Sequence, residues 1–202
     1  MLNEARLLTS YEVLTVTPEQ IKESRELNGG KMVLKGIIQR ADALNQNGRI
    51  YSRDILTREI RNYQKFILEN RATGELDHPE SSVISLQKVS HVMRKAEMKD
   101  DGTVYGELEV LDTPCGKIAQ SLVESGVKIG ISSRGVGSVK EQDQYLYVQE
   151  DFQLICFDLV QDPSTINAFL HENRRVDQND LRKIFTKSDR ISRIANEIIS
   201  SH

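Results

Sequence analysis

The chain has 202 residues, 38% hydrophobic and 28% charged, enough to bury one substantial core. Lys and Arg number 27 against 30 Asp and Glu, a net charge of −3, which argues against a dedicated nucleic-acid binder matched to phosphate. No run approaches the ~20 apolar residues of a membrane span, and the start Met1-Leu2-Asn3-Glu4-Ala5-Arg6 has neither the basic nor the apolar segment of a secretory signal, so a cytosolic protein with no membrane partner is expected. Two cysteines, Cys115 and Cys156, are too few for a disulfide framework and lack metal-ligand spacing.

The first thirty residues combine a β-prone run from Tyr11 to Val16, a short helix over Pro18–Leu27 and a break at Gly29-Gly30, and are expected to form a mobile N-terminal segment. Met32–Ile38 reads as a strand, followed by a turn at Asn45-Gln46-Asn47-Gly48. Ser52 is placed to cap a helix whose apolar residues Leu56, Ile60, Tyr63 and Ile67 recur about once per turn, with Gly74 as its stop. The period then changes. Val83–Met98 and Thr103–Leu111 are β-prone and are joined by Asp100-Asp101-Gly102, a hairpin signal because Asp and Gly tolerate positive φ. Thr113-Pro114 opens a helix that stops at Gly126. A strand over Val127–Ser132 is expected to end in a glycine-spaced turn, Ser133-Arg134-Gly135-Val136-Gly137. Strands around Tyr145–Val148 and Phe152–Val160 follow, ending at Asp162-Pro163. From Val176 the chain reads as a charge-rich helical tail in which Ser188 caps a segment that aligns Ile191, Ile194, Ile198 and Ile199.

Three places can carry chemistry. His78 stands in Gly74-Glu75-Leu76-Asp77-His78-Pro79-Glu80, where the proline holds the histidine extended; a general base and a solvated loop residue are both open. In Gly130-Ile131-Ser132-Ser133-Arg134-Gly135-Val136-Gly137 a strand-end serine can expose its hydroxyl while neighbouring N–H groups face an oxyanion. The stretch fits neither a Walker loop, which needs Gly-Lys before the hydroxyl, nor the Gly-x-Ser-x-Gly elbow, because Arg134 stands two after Ser132. Asp158 lies in the apolar run Phe152–Val160, sharing a face with Phe152, Leu154 and Cys156 on period-two alternation. A buried carboxylate there must have a partner, either the ring N–H of a histidine or a structural Arg or Lys. Asp77, Glu150 and Asp151 are weaker candidates on polar stretches. Asp77, His78 and His91 lack compact metal spacing, and Cys115 has no histidine near it in sequence, so neither a metal nor a thiol nucleophile is expected.

Taken together, these stretches resemble the prohead (procapsid maturation) proteases of contractile-tail phages. The matching residues are Asn45-Gln46-Asn47-Gly48-Arg49-Ile50-Tyr51, Gly74-Glu75-Leu76-Asp77-His78-Pro79, Gly130 to Ser138, and Phe157-Asp158-Leu159-Val160-Gln161-Asp162-Pro163-Ser164, in that order. The resemblance implies an α+β fold, a small mostly antiparallel β-barrel surrounded by helices and related to the herpesvirus assemblins, as a protease domain over 1–170 with a helical C-terminal tail over 171–202. It implies a serine endopeptidase that needs no cofactor and cuts scaffold or core and major capsid proteins after Glu in Leu/Ile-x-Glu contexts, in the host cytoplasm inside the assembling prohead. By position, His78 matches the family's histidine, Ser132 its nucleophile, and Asp158 the place of an acidic third member; N–H groups of Ser133, Arg134 and Gly135, with the Arg134 charge, would support an oxyanion. The family's self-processing points to Leu2-Asn3-Glu4 and Leu170-His171-Glu172 as cleavage sites that would free the tail. The alternative is a non-catalytic assembly or scaffold component with the same fold. Self-association stays open.

Overall fold

In the computed structural model, residues 6–14, 17–45, 47–79 and 81–161 are described. They run β1 (Arg6–Leu14), α1 (Pro18–Leu27), β2 (Val33–Arg40), β3 (Arg49–Ile50), α2 (Arg53–Leu68), β4 (Thr73–Glu75), β5 (Val89–Met98), β6 (Thr103–Val110), α3 (Pro114–Glu124), β7 (Ile129–Gly137), β8 (Val139–Gln142), β9 (Tyr145–Val148) and β10 (Gln153–Val160). The C-terminal tail, with Ser188 and its isoleucine stripe, lies outside the described residues.

Each helix begins where a hydroxyl can satisfy free N–H groups. Thr17 forms a reciprocal capping box with Gln20 ahead of Pro18, Ser52 accepts from the N–H of Ile55, and Thr113 accepts from Gly116 ahead of Pro114. The α2 stripe buries Ile55, Leu56, Ile60 and Tyr63. Burial of each large apolar chain contributes about 1.5–3 kcal/mol, and the Tyr63 ring meets Phe157 of β10 edge-on at 5.6 Å. The core therefore joins α2 to the strand that carries Asp158.

The strands form three sheets, ordered β1-β7-β10, β2-β6-β5-β4 and β3-β9-β8, with antiparallel pairing except between β3 and β9. This is the expected mixed, mostly antiparallel α+β architecture, but no closed barrel forms among the described residues. The first two sheets meet where β1 lies beside β2 and where β4 approaches β10, and at the second seam the ladder is reduced to a single bridge, Leu76 to Leu159. A barrel closes only if its ladder is continuous around the ring.

Four further expectations change. The helix stop is Glu69, with Asn70 at φ +54°, and Gly74 belongs to β4. Gly74 is required there because a Cβ would lie 1.9 Å from the Phe157 carbonyl oxygen and 2.4 Å from Nε2 of His91. Second, the expected turn over Ser133–Gly137 is strand: β7 runs unbroken through it, paired to β1 on one side and β10 on the other. A Cβ on Gly135 would strike the Phe152 ring at 2.4 Å, so that glycine is there for close packing of a core ring. Third, residues 83–88 form a loop before β5, tied down from the site described below. Fourth, β10 is bulged between Leu154 and Cys156, so simple alternation fails in it: Leu154 is half-buried while Cys156 through Val160 are all buried. Asp143 and Gln144, both at positive φ, make the β8–β9 turn without a glycine.

Gly74→Ala forces a methyl against a backbone carbonyl in the core, and its unfolding free energy should fall by about 3 kcal/mol, read from the urea midpoint. A midpoint equal to the parent's would refute the packing described.

Candidate active site

Three strands bring the site together. In the β7–β10 ladder Ser132 stands opposite Asp158, which places a hydroxyl and a carboxylate side by side on one face of the sheet. The segment after β4 delivers the third group: Leu76 bridges Leu159, the Asp77 N–H donates to the Leu159 carbonyl at 2.8 Å, and Asp77 at φ +66° turns the chain. The histidine that follows is thereby held over Asp158. His78 Nδ1 lies 2.9 Å from Asp158 Oδ2, and Nε2 is in hydrogen-bond contact with Ser132 Oγ. An ionised Asp158 only accepts, so the proton belongs on Nδ1, leaving Nε2 to accept from the Ser132 hydroxyl. Ser132 and Asp158 are fully buried, and the His78 side chain is 15% exposed.

Beneath this chain lies a buried charge cluster. Arg134, with no solvent exposure, sets Nε 2.9 Å from Asp158 Oδ2 and donates from Nη2 to Asp158 Oδ1 at 3.2 Å. Nη2 also donates to Cys156 Sγ at 3.2 Å and faces Glu75 Oε2 at 3.4 Å, while Nη1 donates to the Ser81 carbonyl at 2.6 Å. The Glu75 N–H donates to Asp158 Oδ1 at 3.0 Å, and its carboxylate accepts from the Ser85 N–H. Burial pushes the Asp158 carboxyl up, but the bonds from His78 and the Glu75 N–H and the Arg134 charge outweigh it and hold the group below its ordinary value. Burial and the Asp158 charge push the Cys156 thiol well up, which keeps it a neutral packing group.

The expected partners of Asp158 were a histidine or a structural cation; it has both. Ser133, Arg134 and Gly135 are placed differently from the open turn expected of them. Their amides lie between two strand partners, and the Arg134 guanidinium is directed at Asp158. His91 stays away from His78: Nε2 bonds to the Phe157 carbonyl at 3.0 Å, and Nδ1 meets the Ser90 hydroxyl at 2.9 Å. Among the described residues no cluster of three or more His, Cys, Asp or Glu is arranged to hold a metal. Cys115 stands at the start of α3, its Sγ 3.7 Å from the Gln87 carbonyl. Glu150 accepts an exposed hydrogen bond from Arg58, and Asp151 accepts from Ser138, so neither joins the site. Glu4 and Glu172 lie outside the described residues. The residue that sequence reasoning missed is Glu75; its only signal was a carboxylate three residues before His78, and nothing local announces its burial.

A family model described as the prohead core protein serine protease matches residues 13–180. The chain belongs to that family. The prohead core protein protease of Enterobacteria phage T4 is 30% identical to it over 145 residues, which cover 69% of this chain and 68% of that protein. The solved structure of the bacteriophage T4 capsid assembly protease, gp21, is similar with a TM-score of 0.68 at 26% identity, covering 80% of this chain and 100% of that one. The fold and the four motifs thus point to one family of phage proteases.

Burial lowers His91 to about 4, more than the Asp158 charge and the Phe157 bond raise it. A histidine kept neutral in the fold but free to protonate when unfolded stabilises fully above ~6.5, and that stability drains away as pH falls from ~6.5 toward 4. Over that window the parent should lose about 3 kcal/mol from this residue, and His91→Gln should flatten the slope, measured by urea unfolding at each pH. Equal slopes in parent and variant would show that His91 is not the group responsible.

Proposed function

We propose that this chain is a serine endopeptidase acting through His78, Ser132 and Asp158. The observation that carries the reading is the continuous hydrogen-bonded path from Asp158 Oδ2 through the imidazole to Ser132 Oγ. In the proposed reaction His78 Nε2 takes the hydroxyl proton as Ser132 Oγ attacks the scissile carbonyl. Asp158 holds the tautomer and stabilises the imidazolium, which then protonates the leaving amine. Ser132 is buried and flanked by β1 and β10, so productive binding requires β1 to part from β7 near Ser132. The same parting frees as oxyanion donors those amides among Ser133, Arg134 and Gly135 that pair with β1, every second one along the strand, each worth ~100-fold or more in rate. Family membership supports capsid, scaffold and core proteins as substrates, cleaved after Glu inside the assembling prohead in the host cytoplasm. Self-cleavage after Glu172, and after Glu4 at the other end, would separate the protease domain over 1–170 from the tail. The kinship with herpesvirus assemblins belongs to this proposal; two abutting antiparallel sheets with helices outside support it. A non-catalytic assembly component is the second reading, and the intact His78–Ser132 contact favours the enzyme over it.

Ser132→Ala should abolish cleavage of a co-expressed scaffold protein while leaving the melting transition within a few degrees of the parent's. Mass spectrometry should show loss of residues 173–202 from the parent and an intact chain in the variant. Persistent cutting by Ser132→Ala would sink the assignment.

A further inference from the structure

Glu75 is the part of the buried cluster that the triad leaves unexplained. It has no solvent exposure. Its Oε1 accepts from the Ser85 N–H, while among the described residues Oε2 accepts no hydrogen bond and faces Arg134 Nη2 at 3.4 Å. A buried carboxylate with one oxygen so poorly served is expensive, and a neutral amide would make the Ser85 bond at lower cost. The property left to explain is therefore its charge.

Counting charges gives the explanation. Arg134 lies against both carboxylate oxygens of Asp158, and that pair by itself sums to zero. A neutralised Asp158 offers little to a developing imidazolium. With Glu75 on the other side of the guanidinium, the cluster sums to −1 at rest and to zero once His78 carries the Ser132 proton. Without Glu75 it would go from zero to +1 in a site screened from water, the costlier change. We propose that Glu75 is a positioning residue for proteolysis, a counter-ion that occupies Arg134 so that the charge of Asp158 remains available to His78. The inference rests on the triad reading above. The titratable and charged groups facing this cluster are Asp158 and Cys156 of β10, Arg134 of β7, His91 of β5, Tyr63 of α2 and His78 itself. His91 and Tyr63 are neutral near pH 7, and Cys156 stays a thiol, so none of them replaces the Glu75 charge.

The test compares the full chain with Glu75→Gln and Glu75→Asp, using initial rates of scaffold-protein cleavage from pH 5 to 9. Glu75→Gln keeps an acceptor for Ser85 and removes the charge. Its plateau kcat should fall about tenfold with KM within about twofold, and the acid limb of kcat/KM should move down by about one pH unit, because a lost negative charge disfavours the protonated imidazole. Glu75→Asp keeps the charge on a shorter arm and should retain the parental acid limb and most of kcat. A folded Glu75→Gln with the parental limb and kcat overturns the inference. So does a Glu75→Asp that fails to fold or is as impaired as Glu75→Gln, since reach to Ser85 would then be what matters. Should Glu75→Gln not fold, the Glu75→Asp profile decides by itself. Ser132→Ala in the same assay separates the two levels: residual cutting there overturns the triad, whereas a dead Ser132→Ala beside a parental Glu75→Gln overturns only the role of Glu75.

Discussion

An ionised carboxylate at Asp158, sealed from solvent, has to draw all of its stabilisation from the protein around it. It receives the Glu75 N–H and the His78 ring from one segment, at and just after β4, and the Arg134 guanidinium from β7, far from both in sequence. Satisfying that one group therefore fixes the relative positions of β4, β7 and β10. The same contacts that neutralise the core hold the imidazole over Ser132, so stability and site geometry have a common origin.

The surroundings serve that arrangement. Gly74 lets β4 approach the Phe157 carbonyl without displacing the His91 ring that bonds to it, just one residue before Asp158. The loop after His78 is tethered twice, at Ser81 by Arg134 and at Ser85 by Glu75. Two buried ions thus reach outward to order the segment beside the site, which converts an electrostatic necessity into shape.

A Ser–His–Asp path built on sheet backbone differs in one respect from a nucleophile displayed on a turn. Here the serine sits within a strand paired on both sides, where its hydroxyl is well aimed and poorly accessible. Rigid aim and restricted access are thus coupled.

Much of this was legible in the chain. Cap residues at Ser52 and Thr113, the α2 stripe and the Asp-Gly hairpin all depend on neighbours within a few positions, and local physics is written locally. His78, Ser132 and Asp158 were recognisable as chemistry-bearing groups in motifs, and a buried carboxylate demanded a partner. Which partner it took was beyond the sequence, because the ladder register that sets Ser132 opposite Asp158 joins positions 26 apart. The glycines near Ser132 read as a turn since a glycine's freedom shows in sequence, whereas the ring of Phe152 that needs the space does not. Glu75 passed as a polar loop residue for the same reason. Its burial, and the charge balance that gives it a role, exist only once three strands have met.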